Sequence, residues 1–409
     1  MKIKNFLINK IKKKKIKVCV IGLGYVGFPL FKLSIDKGYP TIGIDNDKKK
    51  VIQYQRKFSG NISSDYSLIS KSDIIIYTLP TPINQKRNPD LSILKNSIKK
   101  SFKYFKKGQI IIIESTSYPG TTKECLKQVI LKFKIGYNFF ISYSPERIDP
   151  GNKRFDVENI PKIISGYSKD CLEISEKFYK SICQKILKSS SIEVAEFAKI
   201  YENIFRYVNI GLANETKRIS RKLELDFNEI QKLASSKPFG YMNFYPGVGV
   251  GGHCIPVDPF YLVWLAKKKK IKTEYVKLSD KINRTTPKII CSEIDKIIKK
   301  RKSKKILILG LSYKKNISDI RNSPNIEIFK FFNKKKYIVE FNDDYVKTIR
   351  INKKNFKSLK INPKNLRKQD ALIFLNNHKY YNKKNILKYS KCIFDCTYSF
   401  TKSNKVTFT

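Results

Sequence analysis

A 22-residue stretch, PFGYMNFYPGVGVGGHCIPVDP at residues 238–259, carries the chain's most reactive combination of side chains. It holds five glycines and four prolines and follows neither helical nor strand periodicity. A loop of that length inside a globular chain is usually functional. At its centre stand Gly251, Gly252, His253 and Cys254, with Asp258 four residues on. A cysteine becomes a strong nucleophile when a lysine or a helix N-terminus lowers its pKa. The flanking glycines are expected to let a substrate approach the thiol, because packing alone does not require such glycine density.

A second constellation lies on a helix. Residues 192–213 are apolar nearly all round, which predicts burial on most sides. Glu196, Lys199, Asn203 and Arg206 nevertheless share one face, at spacings of 3, 4 and 3. Two readings stand side by side. One is a structural seam in which Glu196 pairs with Lys199; the other is a site, where buried charges tend to cluster.

The third is a phosphate turn. Gly22-x-Gly24-x-x-Gly27, with Tyr25 and Val26 between, follows the β-rich run IKVCVI and opens a helical stretch. The first glycine allows a tight turn, the second lets a pyrophosphate approach, and the third permits close helix–strand packing. Asp45 ends the next strand, where a carboxylate would take ribose hydroxyls. The combination points to NAD rather than NADP, although Lys48 to Lys50 lie nearby.

These groups need elements to position them. Apolar strands are expected at 16–21, 40–44, 73–79, 109–113 and 139–142, alternating with helices, the pattern of a parallel sheet covered on both faces. One long helix is expected from about 191 to 225. A second, smaller α/β part begins near Lys304, with strands at 337–341, 371–375 and 392–394. The predicted fold class is α/β: two Rossmann-like doubly wound domains joined by a central helical region with a long bridging helix. The expected boundaries are 1–190, which carries the dinucleotide turn, 191–295 and 296–409.

Composition limits the alternatives. The net charge is +50, but arginine supplies only 12 of the 84 basic residues. The lysines are spread over the whole chain beside abundant Ile, Asn, Phe and Tyr, so codon bias accounts for the charge better than nucleic-acid binding. No apolar run approaches the roughly 18 residues of a membrane span, and a cytoplasmic enzyme is expected. The eight cysteines show no CxxC pair and only two histidines exist, so no metal is expected. Most cysteines are expected to be small core residues in a reducing compartment.

Taken together, VIGLGYVGFPL, TLPTPI, ESTSYPGTT, SPERIDPGN, AEFAKIYENIFRYVNIGLANE, YPGVGVGGHCIPVDPFYL and LGLSYKKNISDIRNSP resemble the nucleotide-sugar 6-dehydrogenases, the UDP-glucose and GDP-mannose dehydrogenase family. The likeness is greatest to the branch acting on UDP-N-acetylhexosamines, with UDP-N-acetylglucosamine 6-dehydrogenase foremost. It runs from about residue 18 to 325, and weaker matches extend towards the C-terminus. It implies a four-electron, metal-free oxidation with NAD as acceptor, passing through a cysteine thiohemiacetal and thioester.

The resemblance also assigns roles. The nucleophile falls on Cys254, and the lysine that stabilises an alkoxide falls on Lys199, with Asn203 donating to the same oxyanion. Asp258 assists water and proton transfer, and Glu146 assists thioester hydrolysis. Thr116 and Thr81 line the nicotinamide side. Arg147, Arg206 and Gly251 are implied sugar-nucleotide contacts. Tyr313, Lys314 and Arg321 belong to a third-domain block that reaches the active site, where Arg321 would meet a phosphate. The family's dimer implies a homo-oligomer, and its products imply surface polysaccharide or O-antigen synthesis.

Three departures stand out. Val257 occupies the place of a lysine found in UDP-glucose enzymes, which argues against that sugar. The stretch KPFGYMNFYPG offers no arginine for a cross-subunit contact seen in some relatives. Phe31 and Lys32 replace small residues early in the first helix, altering the tight packing expected there. UDP-N-acetylmannosamine and then UDP-glucose are the alternative substrates. A two-electron hydroxyacid dehydrogenase and a basic nucleic-acid binder are the alternative classes.

Overall fold

The computed structural model describes residues 2–58, 61–149, 152 and 154–409; Pro150 and Gly151 of the SPERIDPGN motif lie outside them. The chain divides into two compact units. The first comprises Met1–Glu202 with Phe260–Ile271, and the second comprises Asn203–Pro259 with Lys272–Thr409.

The first unit is built on a sheet of eight strands among the described residues: β1 (Val18–Ile21), β2 (Thr41–Ile44), β3 (Ile62–Ser63), β4 (Ile74–Tyr77), β5 (Ile110–Ile113), β6 (Phe140–Tyr143), β7 (Lys162–Gly166) and β8 (Ile186–Lys188). Their order is β3-β2-β1-β4-β5-β6-β7-β8. β1 to β6 pair in parallel, β7 runs antiparallel to β6, and β8 is parallel to β7. Strands β1, β4, β5 and β6 are wholly buried, as parallel strands covered on both faces must be. Their side chains alternate between two cores. Val18, Val20, Ile74, Ile76, Ile110 and Ile112 meet Leu30 and Phe31 on one face. Cys19, Ile21, Ile75, Tyr77, Ile111 and Ile113 meet Leu94 and Ile98 on the other. Phe31 packs edge-on against Phe58 at 5.8 Å, so the substitution noted in the sequence has become core.

The basic N-terminus forms a helix, Ile3–Lys12, that sequence reading did not identify. It buries Leu7 and Ile11 and ties Lys4 to Asp170 and Glu173 at 3.0 and 2.8 Å. Its lysines stay at the surface, and its apolar 7/11 pair spans one helical turn.

The second unit has a parallel five-stranded sheet: β9 (Lys305–Leu309), β10 (Ile338–Asn342), β13 (Ala371–Phe374), β14 (Ile393–Asp395) and β15 (Val406–Phe408), in the order β10-β9-β13-β14-β15. A hairpin of β11 (Thr348–Ile351) and β12 (Lys354–Lys357) follows β10. Two long helices pack beside it: the C-terminal part of Ile192–Lys222, and Glu274–Lys300. They are joined by Tyr207 Oη to Asp280 (2.8 Å) and Arg221 to Glu293 (2.6 Å).

Both sheets begin with the same device. Gly22 N donates to Ile44 O at 2.8 Å and Leu23 N to Asp45 Oδ2 at 2.8 Å. In the second unit, Gly310 N donates to Asn342 O at 2.9 Å and Leu311 N to Asp343 Oδ2 at 2.9 Å. A glycine with positive φ opens each turn, and an aspartate one residue beyond the neighbouring strand closes it. Among the described residues, no helix is long and apolar enough to cross a membrane.

Candidate active site

In the first unit the glycine turn sits where the strand order reverses, between β1 and β4, the usual place for a ligand in an open α/β sheet. A Cβ on Gly22, whose φ is +96°, would meet Leu79 Cδ2 at 2.8 Å. A Cβ on Gly27 would stand 2.0 Å from Gly22 O and 2.3 Å from Thr78 Oγ1. Gly24 is different: a Cβ there has nothing within 4 Å. Two glycines are therefore needed for packing, and the third faces open space at the start of helix Gly27–Asp36. That cradle fits a pyrophosphate.

Asp45 accepts Leu23 N and Asp47 N, and Lys50 Nζ lies 3.7 Å away. Thr81 is buried and donates to Thr116 O at 2.7 Å. The hydroxyl of Tyr261 donates to Thr81 O, and Thr78 Oγ1 to Gly22 O at 2.7 Å. Sequence reading named neither Thr78 nor Tyr261. Tyr25 is exposed and Val26 half-buried at the mouth of the turn.

The expected pairing of Glu196 with Lys199 gives way to a different arrangement. Glu196 is fully buried and accepts Gly120 N (2.6 Å), Thr122 N (2.9 Å) and Thr122 Oγ1 (2.7 Å). It thus caps the helix Thr121–Cys125 that follows the ESTSYPG segment. Burial pushes its carboxyl up to about 7, against the pull of those donors. Lys199 is buried on the same helix, whereas Arg206 is exposed.

Glu146 is buried and held from three directions, by Arg147 N, Ile148 N and Lys162 Nζ. Lys162 also reaches Glu114 at 2.8 Å, a buried group absent from the sequence reading. Arg147 places its guanidinium on Glu202 (2.7 Å) and Pro161 O (2.8 Å).

In the second unit, Cys254 is the one exposed cysteine of the eight. Cys19, Cys183 and Cys291 are buried with thiols pushed up to about 12 by desolvation. Cys254 O accepts Val257 N (3.0 Å) and Asp258 N (2.8 Å), a tight turn leading into helix Asp258–Lys268. Asp258 is buried, and Asn203 Nδ2 donates to its Oδ2 at 2.5 Å. The helix stripe and the cysteine loop therefore meet at these two residues.

Three of the loop glycines have a packing reason that sequence reading did not give them. A Cβ on Gly251 would meet Tyr313 Cβ at 2.6 Å and Pro324 Cδ at 2.8 Å. A Cβ on Gly252, at φ +94°, would meet the Tyr313 ring at 2.9 Å. Gly249 lies against Asn283 O, to which Pro287 cannot donate. Segment 312–324 presses on this loop, and Gly252 N donates to Arg321 O (3.0 Å) while Asn322 Nδ2 donates to Gly252 O (3.0 Å). Tyr313 and Arg321 are thus brought to the cysteine loop. The Arg321 guanidinium is forked onto Asp319 at 3.0 and 2.6 Å. Burial and the Arg321 charge hold His253 below the ordinary histidine range. Lys314 is half-buried in the same segment, its carbonyl accepting Ser312 Oγ.

Comparison with known proteins gives a consistent result. Three models of the UDP-glucose/GDP-mannose dehydrogenase family match in order: the NAD binding domain at residues 56–183, the central domain at 193–285 and the UDP binding domain at 307–402. Protein CapL of Staphylococcus aureus is 35% identical over 92% of this chain and 95% of its own. The UDP-N-acetyl-D-glucosamine 6-dehydrogenase of Pseudomonas aeruginosa is 35% identical over 78% of this chain and 80% of its own. A solved UDP-D-ManNAc dehydrogenase from Pyrococcus horikoshii superposes with a TM-score of 0.84 at 26% identity, covering 95% of this chain and 97% of that one. With a dinucleotide cradle in the first sheet, an exposed cysteine in a glycine loop and these matches along its length, the chain belongs to the UDP-glucose/GDP-mannose dehydrogenase family, as an NAD-dependent UDP-sugar dehydrogenase.

Proposed function

We propose that the protein oxidises the C6 hydroxyl of a UDP-N-acetylhexosamine, UDP-N-acetylglucosamine foremost, to the uronic acid. NAD supplies the hydride acceptor in both oxidations, so two NADH form per sugar. Cys254 adds to the intermediate aldehyde as a thiohemiacetal, and oxidation of that adduct leaves a thioester, which water cleaves to uronate and free thiol. The observation that carries this reading is Cys254 itself: alone among eight cysteines it is exposed, in a loop tied to Tyr313 and Arg321.

Within this proposal, Lys199 and Asn203 stabilise the alkoxide, Asp258 moves the proton, and Glu146 serves hydrolysis. Gly22, Gly24, Tyr25, Val26, Gly27, Asp45, Thr81 and Thr116 hold the cofactor. Arg147, Arg206, Gly251, Tyr313 and Lys314 bind the sugar nucleotide, and Arg321 a phosphate. Val257 is buried, so the place of the UDP-glucose enzymes' lysine is filled by a packed aliphatic group. UDP-N-acetylmannosamine is the second reading, favoured by the superposition on the Pyrococcus enzyme.

The assignment extends to domains 1–190, 191–295 and 296–409, and to a homodimer. Sequence reading expected residues 192–213 of helix Ile192–Lys222 to be buried on most sides. It instead leaves Val194, Phe197, Tyr201, Phe205, Leu212 and Ile219 exposed, an apolar stripe suited to a second copy. A cytoplasmic role in surface polysaccharide or O-antigen synthesis completes the proposal. The test is to count NADH per sugar consumed, with each of the two UDP-N-acetylhexosamines and UDP-glucose. Two NADH with UDP-N-acetylglucosamine are expected. One NADH per sugar, or full turnover by Cys254→Ala, overturns the mechanism.

A further inference from the structure

Three ionisable side chains of the first unit meet in its interior. Glu114 follows β5, Glu146 follows β6 and Lys162 opens β7; their side chains are 0%, 8% and 4% exposed. Lys162 Nζ lies 2.8 Å from Glu114 Oε2 and 3.0 Å from Glu146 Oε2. Each carboxylate has its other oxygen engaged. Glu146 Oε1 accepts Arg147 N and Ile148 N, both at 2.7 Å, and Glu114 Oε1 accepts the Tyr179 hydroxyl. The Tyr179 ring lies 5.4 Å from the ammonium, the Cys183 thiol faces the lysine, and Ser144 faces Tyr179.

Two carboxylates share one ammonium, so the cluster carries one negative charge too many for a dry site. The geometry says which carboxylate keeps its charge. Burial drives Glu114 above its ordinary range, and the Glu146 charge adds to this. Burial acts on Glu146 in the same sense, but Lys162 and two backbone N–H groups outweigh it and hold the group low. Glu114 is therefore the proton reservoir and Glu146 the fixed anion.

We propose that Lys162, balanced by Glu114, is a positioning residue that holds the Glu146 carboxylate in one orientation and in its ionised form for thioester hydrolysis. This rests on the role given to Glu146 under the proposed function. In that step water oxygen bonds to the acyl carbon, the carbon–sulfur bond breaks, and the thiolate leaves. The water proton passes to Glu146 and on to solvent.

The test compares Lys162→Met, Lys162→Arg and Glu114→Gln in the full-length protein, with UDP-N-acetylglucosamine and NAD. For Lys162→Met, the first turnover should release two NADH per site at near the parent rate. Steady-state turnover should then fall about 100-fold, and intact mass should show an acyl adduct on Cys254. The acid limb of its steady-state pH profile should move up by about one unit or more, because Glu146 has lost its cation. Glu114→Gln keeps the shape and fixes in neutral form a carboxyl that already holds its proton where Glu146 titrates, so its acid limb should stay close to the parent's. Lys162→Arg should recover most of the turnover. The proposal is overturned if the first turnover and the steady state slow together in Lys162→Met. It is equally overturned if the acid limb of Glu114→Gln shifts by about one unit or more, which would show that Glu114 does not hold the proton there, a readout that survives should Lys162→Met not fold. If the parent protein itself yields one NADH per sugar, the underlying hydrolytic reading has failed, whatever Lys162 does.

Discussion

Asn203 and Asp258 touch through a buried hydrogen bond, amide nitrogen to carboxylate oxygen, that ties the long helix to the start of helix Asp258–Lys268. Under the proposed function the second N–H of this amide serves the oxyanion, and the bond to Asp258 fixes its direction. Replacing Asp258 by Asn should lower kcat by about 100- to 1000-fold with a smaller change in KM, checked by steady-state NADH formation. Asn203→Asp should be worse at high pH than at low pH. Two adjacent carboxylates share one proton, so the thermal midpoint of that variant should fall as pH rises from 5 to 8, relative to the parent.

The three glycines of the first turn should respond differently to alanine. Gly27→Ala forces a methyl to 2.0 Å from Gly22 O and should cost about 1–3 kcal/mol of stability, or more, measured by chemical denaturation. Gly24→Ala meets nothing and should leave stability unchanged. It should still raise KM for NAD by about tenfold, roughly 1.4 kcal/mol, because the methyl enters the space a pyrophosphate would fill.

Gly251→Ala probes the cysteine loop by the same logic. Its methyl would run into Tyr313 and Pro324, so the loop must shift. A loss of about 1–3 kcal/mol is expected, with kcat reduced more than KM for NAD. Pairing Gly251→Ala with Tyr313→Ala should not recover the stability, because the methyl meets Tyr313 Cβ, which alanine keeps, and Pro324 Cδ stays at 2.8 Å; full recovery would show that the tyrosine ring is the obstacle.

Glu196 offers a pH test. Its folded-state value, about 7, lies above the ordinary 4.5. The folded state thus binds the extra proton between these limits. The contribution of this group is complete below about pH 4.5 and is lost as pH rises through about 7. The Glu196→Gln variant should show a flatter fall of thermal midpoint across pH 5–7.5 than the parent. Identical slopes would mean that the caps on Gly120 and Thr122 keep the carboxylate charged throughout.

Much of this architecture was legible because strand burial writes itself in continuous apolar runs. IIIY and IIII could hardly be anything but inner parallel strands, and Gly22, Gly27 and Asp45 sit where their spacing places them. Other features were not legible, since they depend on long-range partners. Glu196 reads as a partner for Lys199 three residues on, yet it serves backbone N–H groups more than 70 positions away in sequence. Lys162 lies in a short strand, PKIISG, with nothing local to show that two carboxylates await it. The glycines of the cysteine loop looked like an invitation to substrate; their crowding by Tyr313 and Pro324 is a tertiary fact. The short strands β3, β8 and β15 carry too few residues to show a period.

The paired glycine–aspartate turns share one backbone design but differ in how open their carboxylates are. Asp45 keeps 12% of its side chain at the surface, whereas Asp343 keeps none and lies 3.2 Å from His378 Nε2. The first turn therefore keeps a partly exposed carboxylate; at the second the carboxylate is buried under His378 and two backbone N–H groups. One backbone design has been left open in one copy and plugged in the other. Under the proposed function, the ribose of a dinucleotide would meet an accepting carboxylate at the first turn, and that of a UDP-sugar would meet none at the second.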